Sequence, residues 1–185
     1  MAATVQMFFK ISADLLPTPL KCHYTFNLRD PAKMLQGMLM VDAKSELIDK
    51  DALLRLWVHE ACRQFRDRLA VEEDRTWFDE QLLAEMAENL EEEWKASRLE
   101  SIIYSDILSV GDKLYTEVGN EAKLLDTINQ SLEEYNSINP SKMSLVFFKD
   151  AQRHLVRAAR IIRQPRGNAL LVGVSGLGRK SMSRM

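Results

Sequence analysis

Near its end the chain carries Gly173-Val-Ser-Gly176-Leu-Gly178-Arg179-Lys180-Ser181, directly after the apolar run Ala169-Leu-Leu-Val172. An apolar run entering glycines is the setting a phosphate-binding loop requires. Glycines let the backbone fold round phosphates and aim several N–H groups at them. A lysine then reaches the outer phosphates, and a Ser or Thr hydroxyl binds Mg²⁺. Gly173 and Gly178 have the spacing of the pattern G-x-x-x-x-G-K-[ST], but Arg179 holds the lysine position, Lys180 holds the hydroxyl position, and Ser181 comes one residue late. Arg179 still neutralises phosphate, as a planar fork instead of a compact ammonium. Lys180 cannot ligate a cation. Four residues follow Ser181, so the helix that should support the phosphates is expected to be absent. No second strand follows to supply an acid for the metal or for water, which argues against ATP hydrolysis by this chain. A glycine-rich surface loop is the plainer alternative.

Other side chains offer less. Arg153, Arg157, Arg160 and Arg163 recur at helical spacing and line one flank. Such a row suits an acidic partner or a nucleic-acid backbone, but no aromatic residues are interleaved for base stacking. A solvated or salt-bridged helix face is the better expectation. Arg29 stands at a helix start beside Asp30, exposed or paired locally. Cys22 and Cys62 are isolated, and His23, His59 and His154 are scattered, so no metal-ligand spacing arises. The two cysteines read as free thiols in a reducing compartment. Paired acids such as Glu92–Glu93 read as a solvated face, and no nucleophile–base arrangement is present.

The elements that must position these groups are mainly helices. Among 185 residues only 7 are Gly and 5 are Pro, too few punctuators for a sandwich of short strands. Apolar residues at 46% and charged residues at 28% are globular values, which excludes a disordered tail. The net charge of −2 gives no argument for nucleic acid, and no apolar run is long enough for a membrane. The N-terminus lacks a cationic stretch and a cleavage site, so a soluble intracellular protein is expected.

Helices are predicted over about residues 3–16, 31–41, 51–70, 74–97, 121–136 and 142–163. Asp30 is the expected cap of the second, with Pro31 at its first position, and Asp49 or Asp51 caps the third. The core stripes are Leu53, Leu54, Trp57, Ala61, Phe65 and Leu69; then Phe78, Leu82, Met86 and Leu90, widened by Leu83 and Ala87. Leu125, Ile128, Leu132 and Tyr135 follow, then Val146, Phe147, Ala151, Leu155, Ala158 and Ile162. Residues 99–119 are irregular and broken at Gly111 and Gly119. Residues 169–172 read as a fully buried strand. The near-neutral total hides two poles. Residues 72–93 hold ten acids against Arg75, while residues 149–185 hold nine bases against Asp150.

Three stretches together resemble a known family. Lys10-Ile-Ser-Ala-Asp-Leu-Leu-Pro-Thr-Pro-Leu-Lys-Cys-His-Tyr-Thr-Phe-Asn-Leu-Arg-Asp30 is similar to the segment of axonemal dynein heavy chains that enters the helical lid of the third AAA+ unit. Ser144-Leu-Val-Phe-Phe-Lys-Asp-Ala151 and Arg160-Ile-Ile-Arg-Gln-Pro-Arg-Gly-Asn-Ala-Leu-Leu-Val-Gly-Val174 are similar to the start of the fourth unit. The resemblance implies a mainly α fold: an AAA+ helical lid, followed by the first helix, strand and phosphate loop of an incomplete α/β subdomain. Residues 1–26 would be the tail of one large subdomain and 27–138 the helical small subdomain. Residues 139–185 would be the start of the next large subdomain, with a degenerate Walker A loop. It implies that Arg29 is the second sensor arginine of the third unit. It also implies that Gly173, Gly176, Gly178, Arg179, Lys180 and Ser181 face ATP or ADP, with Mg²⁺ in the full-length family.

The implied role is ATP-driven movement along microtubules in cilia. The implied places are cytoplasm, cytoskeleton and ciliary axoneme. The implied partners are neighbouring AAA+ units of the same heavy chain, with dynein subunits and microtubules reached through other parts of it. A fragment, truncated product or short isoform, inactive alone, is expected. The competing expectation is a stand-alone helical protein-interaction module whose phosphate loop is not used.

Overall fold

The computed structural model describes residues 1–42, 49–109 and 114–184, with Glu100 described by its backbone alone. The break expected at Gly111 lies outside these residues. The chain divides into two compact units, Met1–Tyr104 and Ser105–Met185.

The first unit is built from five helices: α1 (Ala2–Asp14), α2 (Arg29–Met38), α3 (Lys50–Gln64), α4 (Glu72–Asn89) and α5 (Ala96–Ser101), with a 3-10 turn at Arg66–Arg68. α2 packs on α3, and α1 on α4. The central element is α3, in which every residue from Leu56 to Cys62 is buried. That wrap-around burial corrects the single stripe read from its sequence. Leu56 and Val58 join the core, whereas Leu53 is 46% exposed. Asp49 caps α3, its Oδ1 accepting from the Ala52 N–H at 2.6 Å. Phe78, Leu82 and Met86 of α4 lie in the core as their spacing predicts, and each contributes about 1.5–3 kcal/mol by leaving water. Several polar groups drawn inside have partners, although Arg63 Nε is buried without a hydrogen bond. Trp57 Nε1 donates to Thr4 Oγ1 at 2.9 Å, and Glu85 takes Lys10 at 3.1 Å and Asn89 at 2.8 Å.

α4 stops at Asn89, short of the expected residue 97. Glu88, Glu91, Glu92 and Glu93 crowd its C-terminal end, where the helix dipole already places negative partial charge. Glu91 turns the chain through a left-handed conformation, φ 56°.

The second unit contains α6 (Glu121–Ile138), α7 (Lys149–Arg163) and α8 (Arg179–Arg184). A two-residue strand pair, β1 (Tyr104–Ser105) with β2 (Thr116–Glu117), precedes them. Asn120 caps α6 through the Ala122 and Lys123 N–H groups, and Leu124, Ile128 and Leu132 form its buried side. Leu124, not Leu125, leads that stripe.

α7 begins at Lys149 and not at 142. Residues 143–148 alternate instead: Met143, Leu145 and Phe147 are half-buried, while Ser144, Val146 and Phe148 face out. That period of two belongs to extended chain, not helix. The Asn136 amide fixes it like a neighbouring strand, donating to Met143 O at 2.8 Å and accepting from Met143 N at 2.7 Å. Gln152 holds Phe147 O at 2.8 Å. Consequently the buried side of α7 is Gln152, Leu155, Val156 and Arg160, and the expected core residues Val146 and Ile162 are exposed.

The run 169–172 forms no strand. Leu170 is 87% and Val172 83% exposed, so the expectation of a buried strand fails. A strand covered on both faces takes its ladder and its cover from neighbouring strands and helices. Among the described residues nothing pairs with this run.

Candidate functional site

The glycine loop passes straight into a helix. Gly176 and Gly178 have φ of +90° and +73°, conformations open to glycine and strained for other residues. α8 then starts at Arg179, anchored by the Met182 N–H donating to Gly178 O at 2.8 Å. The helix expected to be absent is therefore present, as a short one of six residues. A Cβ at Gly176 or Gly178 would meet nothing within 4 Å, so the mouth of the loop is open. At Gly173 a Cβ would come within 2.9 Å of Leu177 Cδ1 and 3.7 Å of Arg179 Cδ. A side chain at Gly173 would have to displace the tip of the exposed Leu177 side chain.

Arg179 folds back over this loop, its Nη2 donating to Val174 O at 3.2 Å. Lys180 is exposed. Ser181 is half-buried, and Ser183 spends its hydroxyl on Arg179 O at 2.8 Å. Backbone N–H groups at glycines and an arginine are the kinds of donor that phosphate oxygens take. The donor set does not fit Mg²⁺: an ammonium occupies the hydroxyl position. Among the described residues no three His, Cys, Asp or Glu side chains gather where a cation could sit.

Arg29 belongs to the first unit and the loop to the second. Arg29 is exposed at the first turn of α2 and, among the described residues, its guanidinium has no ion-pair partner. The sequence suggested Asp30 as the cap of this helix and left Arg29 exposed or paired locally; Arg29 is exposed, and Asp30 lies inside α2 instead of capping it. Asn27 Oδ1 accepts from the Arg29 N–H at 2.9 Å, and Asp30 Oδ2 accepts from the Asn27 N–H at 2.8 Å. This reciprocal pairing of Asn27 with Asp30, three residues on, resembles a capping box and sits just ahead of Leu28, the residue that precedes α2. Asp30 itself is only 4% exposed and is ion-paired with Arg68 at 2.7 Å, with Gln64 Nε2 at 2.8 Å. Gln64 and Arg68 carried no signal in the sequence, because their importance comes from a partner more than thirty residues away.

The arginine row of α7 does not form an open basic stripe. Arg160 is buried, and Arg163 pairs with Asp106 at 3.3 Å. The acidic face of α4 is partly neutralised by Lys21 on Asp74, Arg66 on Asp79, Arg75 on Glu72 and Lys10 on Glu85. Cys22 is exposed and Cys62 buried, both as free thiols. Burial pushes the Cys62 thiol up to about 12, so it is inert at neutral pH. Among the described residues no helix is long and apolar enough to cross a membrane.

A bundle of helices around a buried central one, leading to a glycine loop in a separate unit, has the parts of an AAA+ lid and the beginning of a P-loop subdomain. The chain belongs to the AAA+ lid domain family, which residues 1–95 match. Residues 143–185 match the P-loop containing dynein motor region D4. Along almost its whole length the chain is similar to axonemal dynein heavy chains. It is 49% identical over 185 residues to Dynein axonemal heavy chain 1 of Mus musculus and 50% over 187 residues to that of Homo sapiens, each match taking in 99% of this chain. It is 41% identical over 192 residues, again 99% of this chain, to Dynein axonemal heavy chain 6 of Homo sapiens. In each case the chain spans 4% of the relative's length. Its sequence therefore corresponds to a segment of an axonemal dynein heavy-chain motor region.

Proposed function

We propose that this chain supplies the helical lid of the third AAA+ unit and the opening of the fourth in a heavy chain that moves along microtubules in the ciliary axoneme. The observation that carries this reading is order. A lid match over residues 1–95 is followed, in one uninterrupted similarity to axonemal heavy chains, by a D4 match over residues 143–185. On this reading residues 1–26 close a large subdomain, 27–138 form the lid and 139–185 open the next large subdomain.

Each group then has a defined task. The Gly173–Ser181 backbone wraps the phosphates of ATP or ADP, with Gly176 and Gly178 giving the curvature. Arg179 exchanges its bond to Val174 O for a phosphate oxygen. Arg29, exposed at the start of α2 and without an ion-pair partner among the described residues, contacts phosphate from the lid side, so that the lid responds to nucleotide by moving as a body. Lys180 adds positive charge only. The partners are the adjoining AAA+ units of the same chain. Hydrolysis and track binding belong to other parts of the heavy chain.

The 185 residues alone are therefore not catalytic. With MgATP, phosphate release from the purified chain stays at background. Turnover above background that Arg179→Ala abolishes would overturn this.

A further inference from the structure

Arg68, on the 3-10 turn after α3, grips the stretch of chain that leads into Arg29. Its Nη2 donates to Asp30 Oδ1 at 2.7 Å and its Nη1 to Asp30 Oδ2 at 3.3 Å. The same Nη1 reaches Thr25 O at 3.3 Å, and the guanidinium lies 5.0 Å from the centre of the Phe26 ring. One side chain thus holds three points of the segment 25–30. Asp30 carries the grip onward. It is buried, accepts from four donors, and through Asn27 fixes the N–H of Arg29. A buried carboxylate with a forked guanidinium and two further donors has one favourable geometry and a high cost for any other.

We propose that Arg68 and Asp30 are positioning residues that set where Arg29 points, and so tie the phosphate contact of the lid to the C-terminal end of α3. The proposal rests on the sensor role given to Arg29 above. The coupling is mechanical: a shift of the 3-10 turn relative to α2 moves Asp30, and Asp30 moves the first turn on which Arg29 sits. Among the described residues Arg29 itself has no ion-pair partner, which leaves it available for an anion.

The test has two arms. In the 185-residue chain, amide exchange is compared for Arg29 and for Val58, in the middle of α3, with Arg68→Lys as the main variant. Lys keeps the charge opposite Asp30 and removes the fork, so the fold is preserved; Asp30→Asn is the second variant. Exchange at Arg29 is expected to rise about tenfold or more while Val58 changes less than about twofold. Equal changes at both sites, or none at Arg29, overturn the positioning role. The second arm uses the complete heavy chain and measures ATP affinity of the unit that this lid covers. Arg29→Ala and Arg68→Lys each weaken it, and the double variant is no weaker than Arg29→Ala alone. Losses that multiply, or a loss confined to Arg29→Ala, overturn the coupling while leaving the sensor role standing. No loss with Arg29→Ala removes the sensor role, and the exchange arm then decides the positioning alone.

Discussion

Lys21 Nζ lies 2.6 Å from Asp74 Oδ2, and the Tyr24 hydroxyl donates to the same oxygen at 2.7 Å. One carboxylate at the start of α4 thereby fastens the irregular segment that follows α1. Tyr24 completes the link by accepting from the Ala70 N–H at 2.8 Å.

The three groups predict a plateau of stability with two edges. Burial pushes the Asp74 carboxyl up, but the hydrogen bonds from Lys21 and Tyr24 outweigh it and hold the group below its ordinary 3.8. Its contribution is present above about pH 4 and is lost as pH falls through the lowered folded value. The Asp74 hydrogen bond raises Lys21 above 10.5, and burial followed by the Asp74 bond raises Tyr24 above 10.0. Their contribution is complete below those values and is lost as pH rises through the raised ones. Urea midpoints measured across this range should be flat in the middle and fall at both ends. Asp74→Asn should shrink both falls; unchanged edges would refute the assignment.

Thiol reactivity should separate the two cysteines. Cys22 is exposed, while burial holds Cys62 at about 12. In native protein at pH 7.5 to 8, about one equivalent of a thiol reagent should react, and a second only on unfolding. Two rapid equivalents in the native state would contradict the closed packing round α3.

Core substitutions should rank by burial and not by membership of a sequence stripe. Phe78→Ala should cost about 3–5 kcal/mol, since Phe78 is fully buried. Leu53→Ala should cost under about 1 kcal/mol. Thr4→Val should cost about 1–3 kcal/mol, because Trp57 Nε1 is left buried without an acceptor. Chemical denaturation of the three variants gives the order; comparable losses for Leu53 and Phe78 would contradict it.

Limited proteolysis should find the second unit's end first. Residues 169–174 have no regular structure, and Arg166 is exposed with φ 58°. Trypsin should cut after Arg166, Arg179 or Lys180 before it cuts within α3 or α4. A chain resistant up to Met185 would favour a self-contained interaction module instead.

Much of this was legible in residue spacing. α4 shows its core face because Phe78, Leu82 and Met86 repeat every four residues, and Asp49 announces α3. The failures come from partners that periodicity does not name, some distant in sequence and some only five to seven residues away. From Leu56 to Cys62 α3 is buried on all sides, so no single stripe could describe it. Residues 143–148 are extended because the Asn136 and Gln152 amides hold them, although Val146-Phe147-Phe148 reads equally well as helix. The run 169–172 has strand composition, but composition does not supply a neighbour. At the site, the glycine pattern located the loop, and the backbone then gave the short helix that residue counting denied. Arg29 was visible only through family resemblance; Asp30, Gln64 and Arg68 became visible only as a cluster.

The central claim is that these residues work inside a motor heavy chain. Mass spectrometry of polypeptides separated from purified ciliary axonemes tests it most directly. Peptides from residues 1–95 and from residues 143–185 should be recovered together from one polypeptide of heavy-chain size. Recovery of both only from a free species near 21.3 kDa, and none from axonemes, would contradict the account.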